Sequence, residues 1–445
     1  MALFKNDVSE YVTPGRVNPA RLVVTFTPVQ GSPDRYDVTA QVDDDGELMT
    51  GEFVARPEWR NANAPFPTSK IYPAEPPRAQ LGTQLFSNLF SGALSRCWAQ
   101  AVERGRQRGL HILIRSSSYA LHALPWELLS DPAPTSSEYV AFSEGWSVLR
   151  DVPASGEEAM PGIGAPVPAP DLAILVMTTA VTGVNQDSDP GIIRAAFPQT
   201  PDVRTIPDAG PEQILEALEA GEAQVAHIMG TGEQTRQGWQ DLVVGTPGSP
   251  TVLPGKALAK AMEDTPRLRL VVLAACETDR LAAHLAPVVP AVIGIRGIIS
   301  DAGCQAFLGG LYGALAAGAT LSQAVASGRT QQIGFSQSIG DEWAQPVLFL
   351  HEDGSIVRPR SHVEDTMVTV LGLRNPTTQA GTEAETAASL LLQIKEENLR
   401  ALRTQWGEDR REGGQGATPA FVQKQIDHLA EEVEGMGEAR RGALP

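Results

Sequence analysis

Cys276 closes the apolar run from Leu268 to Ala275, in the segment Leu-Val-Val-Leu-Ala-Ala-Cys-Glu-Thr. A cysteine acts as a nucleophile through its thiolate, which forms near neutral pH only beside a base or in a positive setting. The run reads as a buried central strand, and the Glu-Thr-Asp-Arg-Leu after it reads as the start of a helix. Cys276 is therefore expected at the carboxyl end of a strand, where open α/β sheets place their ligand chemistry. An earlier strand, Gln224 to Met229, runs into Gly230-Thr231-Gly232, where a histidine would be sought to activate the thiol. Threonine stands there instead, and its hydroxyl is not a base near neutral pH.

Other groups are poorer candidates. His227 precedes Thr231 by four residues on the same strand, about 13 Å farther from the strand end. Hydrogen-bond reach is about 3 Å, so His227 is a weak candidate base. His284 lies two turns into the helix after Cys276 and reads as a surface or packing histidine. Cys97 falls on an apolar helical stripe and reads as core. Asp43-Asp44-Asp45-Gly46 looks like a hairpin turn, since the further ligands of a calcium loop are missing. Gly230-Thr-Gly232 follows a strand, yet no Gly-x-Gly-x-x-Gly or Walker-type Gly-Lys-Ser/Thr is present. No cofactor and no metal are expected.

These residues must be held by a chain of 445 residues, 42% hydrophobic and 20% charged, the balance of an ordinary globular protein with a full core. Its net charge of −18 argues against a nucleic-acid backbone or an anionic membrane as the main partner. Three cysteines make a disulfide scaffold improbable and suit a reducing compartment. The N-terminus lacks the apolar core of a signal peptide. Ala286 to Ile299, the longest apolar stretch, is short of a span and contains two prolines and Arg296. A cytoplasmic protein with no membrane span is expected.

Residues 22–27, 36–42 and 47–54 show strand signals separated by turns, giving a β-rich segment over about 1–75. Leu85, Phe86, Leu89, Phe90, Leu94, Cys97, Trp98 and Ala101 recur at helical spacing, which predicts one amphipathic helix. A short strand at His111 to Arg115 precedes Leu124-Pro-Trp-Glu-Leu-Leu129, where Pro125 can open a helical turn. Five prolines between 153 and 170 predict an exposed connector. Residues 171–350 then alternate strands (172–178, 203–206, 224–229, 270–275, 291–295) with helices (212–220, 256–263, 302–317, 321–329). That alternation predicts parallel strands with right-handed crossovers and helices on both faces. A linker over 356–382 leads to a helical region over 383–445. Its final helix carries the stripe Val422, Ile426, Leu429, Val433, Met436, suited either to packing back on the domain or to binding a partner.

The ordered set of motifs resembles the CHAT family, caspase-fold proteins of the same clan as caspases and separase. The resemblance runs from about residue 80 to 350. It covers the Leu81 to Phe90 helix, Leu124-Pro-Trp-Glu-Leu-Leu129, His227-Ile-Met-Gly-Thr-Gly232 and Val272-Leu-Ala-Ala-Cys-Glu277. It continues through Ala291-Val-Ile-Gly-Ile-Arg296 with Asp301, Tyr312-Gly-Ala-Leu to Gly318, Leu321 to Arg329 and Trp343-Ala-Gln-Pro-Val-Leu-Phe349. It implies a caspase-like αβα sandwich over 76–355 with a mainly parallel sheet, and a Cys–His dyad that cleaves peptide bonds in active members. On that resemblance the nucleophile matches Cys276 and the dyad histidine falls on Thr231. The resemblance makes Gly230-Thr231-Gly232 a turn whose main-chain groups at Gly230 and Gly232 would help shape the oxyanion site, and Asp301 matches an acidic position associated with substrate. The expectation is a caspase-fold protein with impaired peptidase chemistry that works through a protein partner, in a bacterial stress, signalling or defence system. The alternative is an active cysteine peptidase that takes its base from elsewhere.

Overall fold

The computed structural model describes residues 18–56, 59, 78–132, 139–143, 145–153, 162–179, 188–198, 200, 202–234, 240–246, 249–333 and 342–358. The expected linker beyond 358 and the helical region over 383–445 lie outside the described residues. Fifteen strands are described: β1 (Ala20–Pro28), β2 (Arg35–Val42), β3 (Met49–Val54), β4 (Leu110–Ser116), β5 (Trp146–Asp151), β6 (Val167–Pro168), β7 (Ile174–Met177), β8 (Val203–Ile206), β9 (Val225–Gln234), β10 (Gln240–Thr246), β11 (Ser249–Leu253), β12 (Leu270–Cys276), β13 (Ala291–Ile295), β14 (Pro346–Leu350) and β15 (Val357–Arg358). The helices are α1 (Arg78–Leu89), α2 (Ala93–Arg108), α3 (Tyr119–His122), α4 (Ser188–Ala196), α5 (Pro211–Glu219), α6 (Gly255–Glu263), α7 (Asp279–Leu285), α8 (Asp301–Ala316) and α9 (Leu321–Gln332).

Thirteen strands form one mixed sheet in the order β11-β10-β9-β12-β13-β14-β5-β4-β1-β2-β3, with β7 on the free half of β9 and β8 beyond it. β7, β8, β9, β12 and β13 run parallel. β14 reverses against β13 and sets the direction of a second parallel block, β5, β4 and β1. β2 and β3 continue that block as an antiparallel meander.

The sheet is covered on both faces, which is why its central strands are apolar without alternation. α5, α6 and α7 pack over one face through Ile214, Leu218, Leu258, Met262 and Leu281. On the other face α4, α8 and α9 contribute Ile193, Phe307, Leu311, Tyr312 and Val325. A third cluster joins β1–β3, α1 and α2 around Trp126, whose ring lies 5.5 Å from both Phe26 and Phe53. The architecture is an α/β three-layer sandwich.

Three expectations need correction. The amphipathic stretch around Leu85 to Ala101 is two helices, broken where Gly92 takes φ 56, a conformation that favours glycine. The break folds Phe86, Phe90 and Trp98 together, with ring centroids 4.7–5.1 Å apart. The second part of the proline-rich connector is not loose: Ile163 is buried, and Val167 pairs with Val357 in a separate two-stranded sheet. The Gly-Thr-Gly segment is not a turn, because β9 runs on through it to Gln234 as the partner of β10.

His122 sits at the end of α3, fully enclosed, and its Nε2 donates to the Ser116 carbonyl at 2.8 Å. Its Nδ1 is buried without a partner, so a second proton would have nothing to receive it. Burial accordingly lowers its pKa from 6.5 to about 4. The unfolded chain takes up this proton first, so the stability held by the neutral ring is complete above pH 6.5 and is lost as pH falls toward 4. The half-buried Asp279 works the other way; loss of solvation raises its carboxyl to about 6, and its contribution is lost as pH rises through that value. Comparing His122→Gln with the unmodified protein isolates the histidine. Between pH 7 and 4 the difference in unfolding free energy is expected to swing by about 3 kcal/mol in favour of the variant. A flat difference across urea titrations at these pH values would contradict the assignment.

Candidate functional site

β12 and β9 are adjacent parallel strands, and their register sets Cys276 directly beside Thr231. Adjacent strands lie about 4.8 Å apart, and register partners point to the same face of the sheet. Both residues are half-buried, Cys276 at the carboxyl end of β12 and Thr231 within β9, on the face covered by α4, α8 and α9. The Cys276 thiol donates weakly to the Ile299 carbonyl at 3.8 Å, in the loop that leads from β13 into α8.

The chain turns sharply after Cys276. Glu277 has φ 55, a left-handed conformation uncommon for a residue with a side chain. Several bonds pin it there. Glu277 N donates to Gly297 O at 3.0 Å and Thr278 N to Ile295 O at 2.8 Å. The Thr278 hydroxyl donates to Ala275 O at 2.8 Å and accepts from Ile295 N at 3.1 Å. The Glu277 carbonyl accepts from the side-chain amide of Gln240. A Cβ at position 232 would fall on that same carbonyl oxygen, so Gly232 is what lets the turn after Cys276 close against β9. Gly230 has a different neighbour, the Leu242 side chain and Val243 carbonyl of β10, each 2.9 Å from where its Cβ would sit. The two glycines thus serve close packing on opposite sides of Thr231.

The electrostatics around Cys276 oppose a thiolate. Burial pushes its pKa up, and the carboxylates of Glu277, Asp301 and Glu342 push it further. Asp301 is exposed at the first position of α8. Glu342 is buried and accepts from the Ser300 hydroxyl at 2.8 Å, at the same helix start. Cys304, one turn into α8, is raised well above its ordinary value by burial, with the Asp189 carboxylate adding to it.

His227 is register partner to Val272, four strand positions from Thr231, and is fully buried. Its Nδ1 lies 2.9 Å from the Tyr312 hydroxyl and its Nε2 3.1 Å from the Asp189 carboxylate. Both ring nitrogens are occupied in ties from the sheet to α8 and α4, about 13 Å of strand away from Cys276. His284 is a packing histidine: its ring meets Tyr119 edge-on at 4.2 Å, and burial lowers it to about 4. Cys97 is enclosed in the core, where burial raises it to about 11. Among the described residues no cluster of three or more His, Cys, Asp or Glu is arranged to hold a metal.

Sequence reasoning missed Gln240, Asp189, Ser300 and Glu342. Each lies far along the chain from the group it touches. A lone glutamine opening a strand and an aspartate opening a helix carry no local signal of these contacts.

The sequence model of the family described as CHAT domain matches residues 80–348. A search of the curated proteins gives no match.

Proposed function

The chain belongs to the CHAT-domain family, a caspase-like family, and from that membership we propose that it is a peptidase-related protein whose own cutting chemistry is silenced. The observation that carries this reading is the register pair Cys276–Thr231. Of the two positions that a Cys–His dyad would occupy, one holds its thiol and the other holds a group that cannot take a proton. His227 offers no replacement, since both its nitrogens are engaged elsewhere. Three carboxylates around the thiol work against ionisation, where a working nucleophile needs the reverse.

On this proposal the sandwich is kept as a binding module in the cytoplasm, with a protein partner engaged by residues 383–445, in a bacterial stress, signalling or defence system. Among the described residues no helix is long and apolar enough to cross a membrane. The intact setting of Cys276 at its strand end supports the second reading, a peptidase completed by a base from a partner chain. Incubating the full-length protein with a peptide library separates the two. The proposal expects no hydrolysis above the blank and no difference for Cys276→Ala. Cleavage that disappears in Cys276→Ala would overturn it.

A further inference from the structure

Gln240 opens β10, on the far side of β9 from Cys276, and is 1% exposed. Both ends of its amide are committed to the segment that follows the nucleophile position. Its Nε2 donates to the Glu277 carbonyl, and its Oε1 accepts from Leu281 N–H at 2.7 Å in the first turn of α7. Leu281 N–H is one of the donors that a helix start leaves without an internal partner. One side chain thus bridges a left-handed turn residue and the helix after it. The seat of the amide is itself shaped by glycine. A Cβ at 232 would fall 2.7 Å from Gln240 Nε2, and one at 255 would fall on the Gln240 carbonyl oxygen.

We propose that Gln240 is a positioning residue for Cys276: its amide holds Glu277 in the left-handed turn and so fixes where the thiol stands relative to Thr231 and Ile299. The inference rests on reading Cys276 as the nucleophile position. It does not require that the protein cleave anything.

Other bonds on the turn come from backbone or from Thr278 within it, so Gln240 is the side chain by which β10 reaches it. Without the amide, the Glu277 carbonyl loses its donor and Leu281 N–H loses its acceptor. The turn then has less reason to keep φ near 55, a conformation that a residue with a side chain seldom adopts. As it relaxes toward ordinary backbone, Cys276 moves away from the Ile299 carbonyl and gains water.

The test is the rate at which iodoacetamide alkylates each cysteine of the full-length protein, followed by peptide mapping across pH 6–10. Gln240→Leu is expected to speed labelling of Cys276 about tenfold and to lower the pH midpoint of that labelling. Cys97 and Cys304 should keep their rates. Gln240→Glu keeps the shape and the acceptor for Leu281 N–H but sets an oxygen against the Glu277 carbonyl; it should shift Cys276 in the same direction by less. A purely structural glutamine would change the melting temperature and speed all three cysteines together, and that result overturns the proposal. So does an unchanged rate and midpoint at Cys276 in both variants. Should Gln240→Leu fail to fold, Gln240→Glu decides alone. A Cys276 shift here, together with no response to histidine at 231, would sink the dyad reading and leave this inference standing; the opposite pair of results would sink this inference alone.

Discussion

Replacing Thr231 by histidine is expected to produce peptide cleavage that depends on Cys276. A positioned imidazole contributes about 10²–10⁴-fold through proton transfer, and it acts as a unit with the nucleophile it serves. The geometry is already in place. Thr231 is the register partner of Cys276, on the same face and half-buried, so the Cβ of a histidine would start about one strand spacing from that of the cysteine. The charge balance would change as well. Burial raises the Cys276 thiol, the carboxylates of Glu277, Asp301 and Glu342 add to it, and an imidazolium beside it would favour the thiolate that they disfavour. Two measurements read the outcome. Peptide-library cleavage by Thr231→His should appear and vanish when Cys276→Ala is added. Alkylation of Cys276 should acquire a titration near pH 6.5, the range of an ordinary imidazole. If Thr231→His alkylates with the original pH dependence and cleaves nothing, threonine is not what silences the site.

Glu127→Gln is expected to cost about 3–5 kcal/mol of stability, the range found when one partner of a buried ion pair is removed. Glu127 and Arg150 are both fully enclosed and paired through two hydrogen bonds, the longer at 2.8 Å. Arg329 Nη2 adds a third bond to Glu127 at 3.3 Å and also donates to Pro346 O at 2.8 Å. Burial alone would raise the Glu127 carboxyl, but the Arg150 and Arg329 charges outweigh it and hold it below its ordinary range.

The location makes the loss consequential. β14 and β5 join the two parallel blocks through a single register position, Phe349 with Arg150, whereas β13 and β14 share five. The Glu127 cluster therefore fastens a seam that the backbone ladder holds thinly. Urea unfolding of Glu127→Gln gives the cost directly. The double variant with Arg150→Met should lose less than the sum of the two singles, because residues in one network do not add. A loss under about 1 kcal/mol for Glu127→Gln would mean that Arg150 and Arg329 find other partners on its removal.

The fold was legible where burial is set by a single strand or helix. Leu270 to Cys276 and Ala291 to Ile295 read as doubly covered strands because their apolar runs have no alternation, and both are found as such. The helices over Pro211–Glu219 and Gly255–Glu263 followed from helical spacing. The Gly-Thr-Gly segment was misread because glycines inside a strand resemble a turn until the atoms they make room for are known. Here those atoms are the Glu277 carbonyl, 45 residues later in the chain, and the β10 side chains across the hairpin. β10 and β11 had no clear periodic signal, since one is half-buried and the other is an exposed edge.

The sequence by itself determined that Cys276 ends a central strand and that position 231 carries threonine, because strand periodicity and residue identity are local properties. Only the tertiary structure decided that these two residues are neighbours in register, that His227 is spent on Asp189 and Tyr312, and that Gln240 grips the turn beyond Cys276. Those facts depend on which strands pair and in what register, and pairing is fixed by the packing of both sheet faces together.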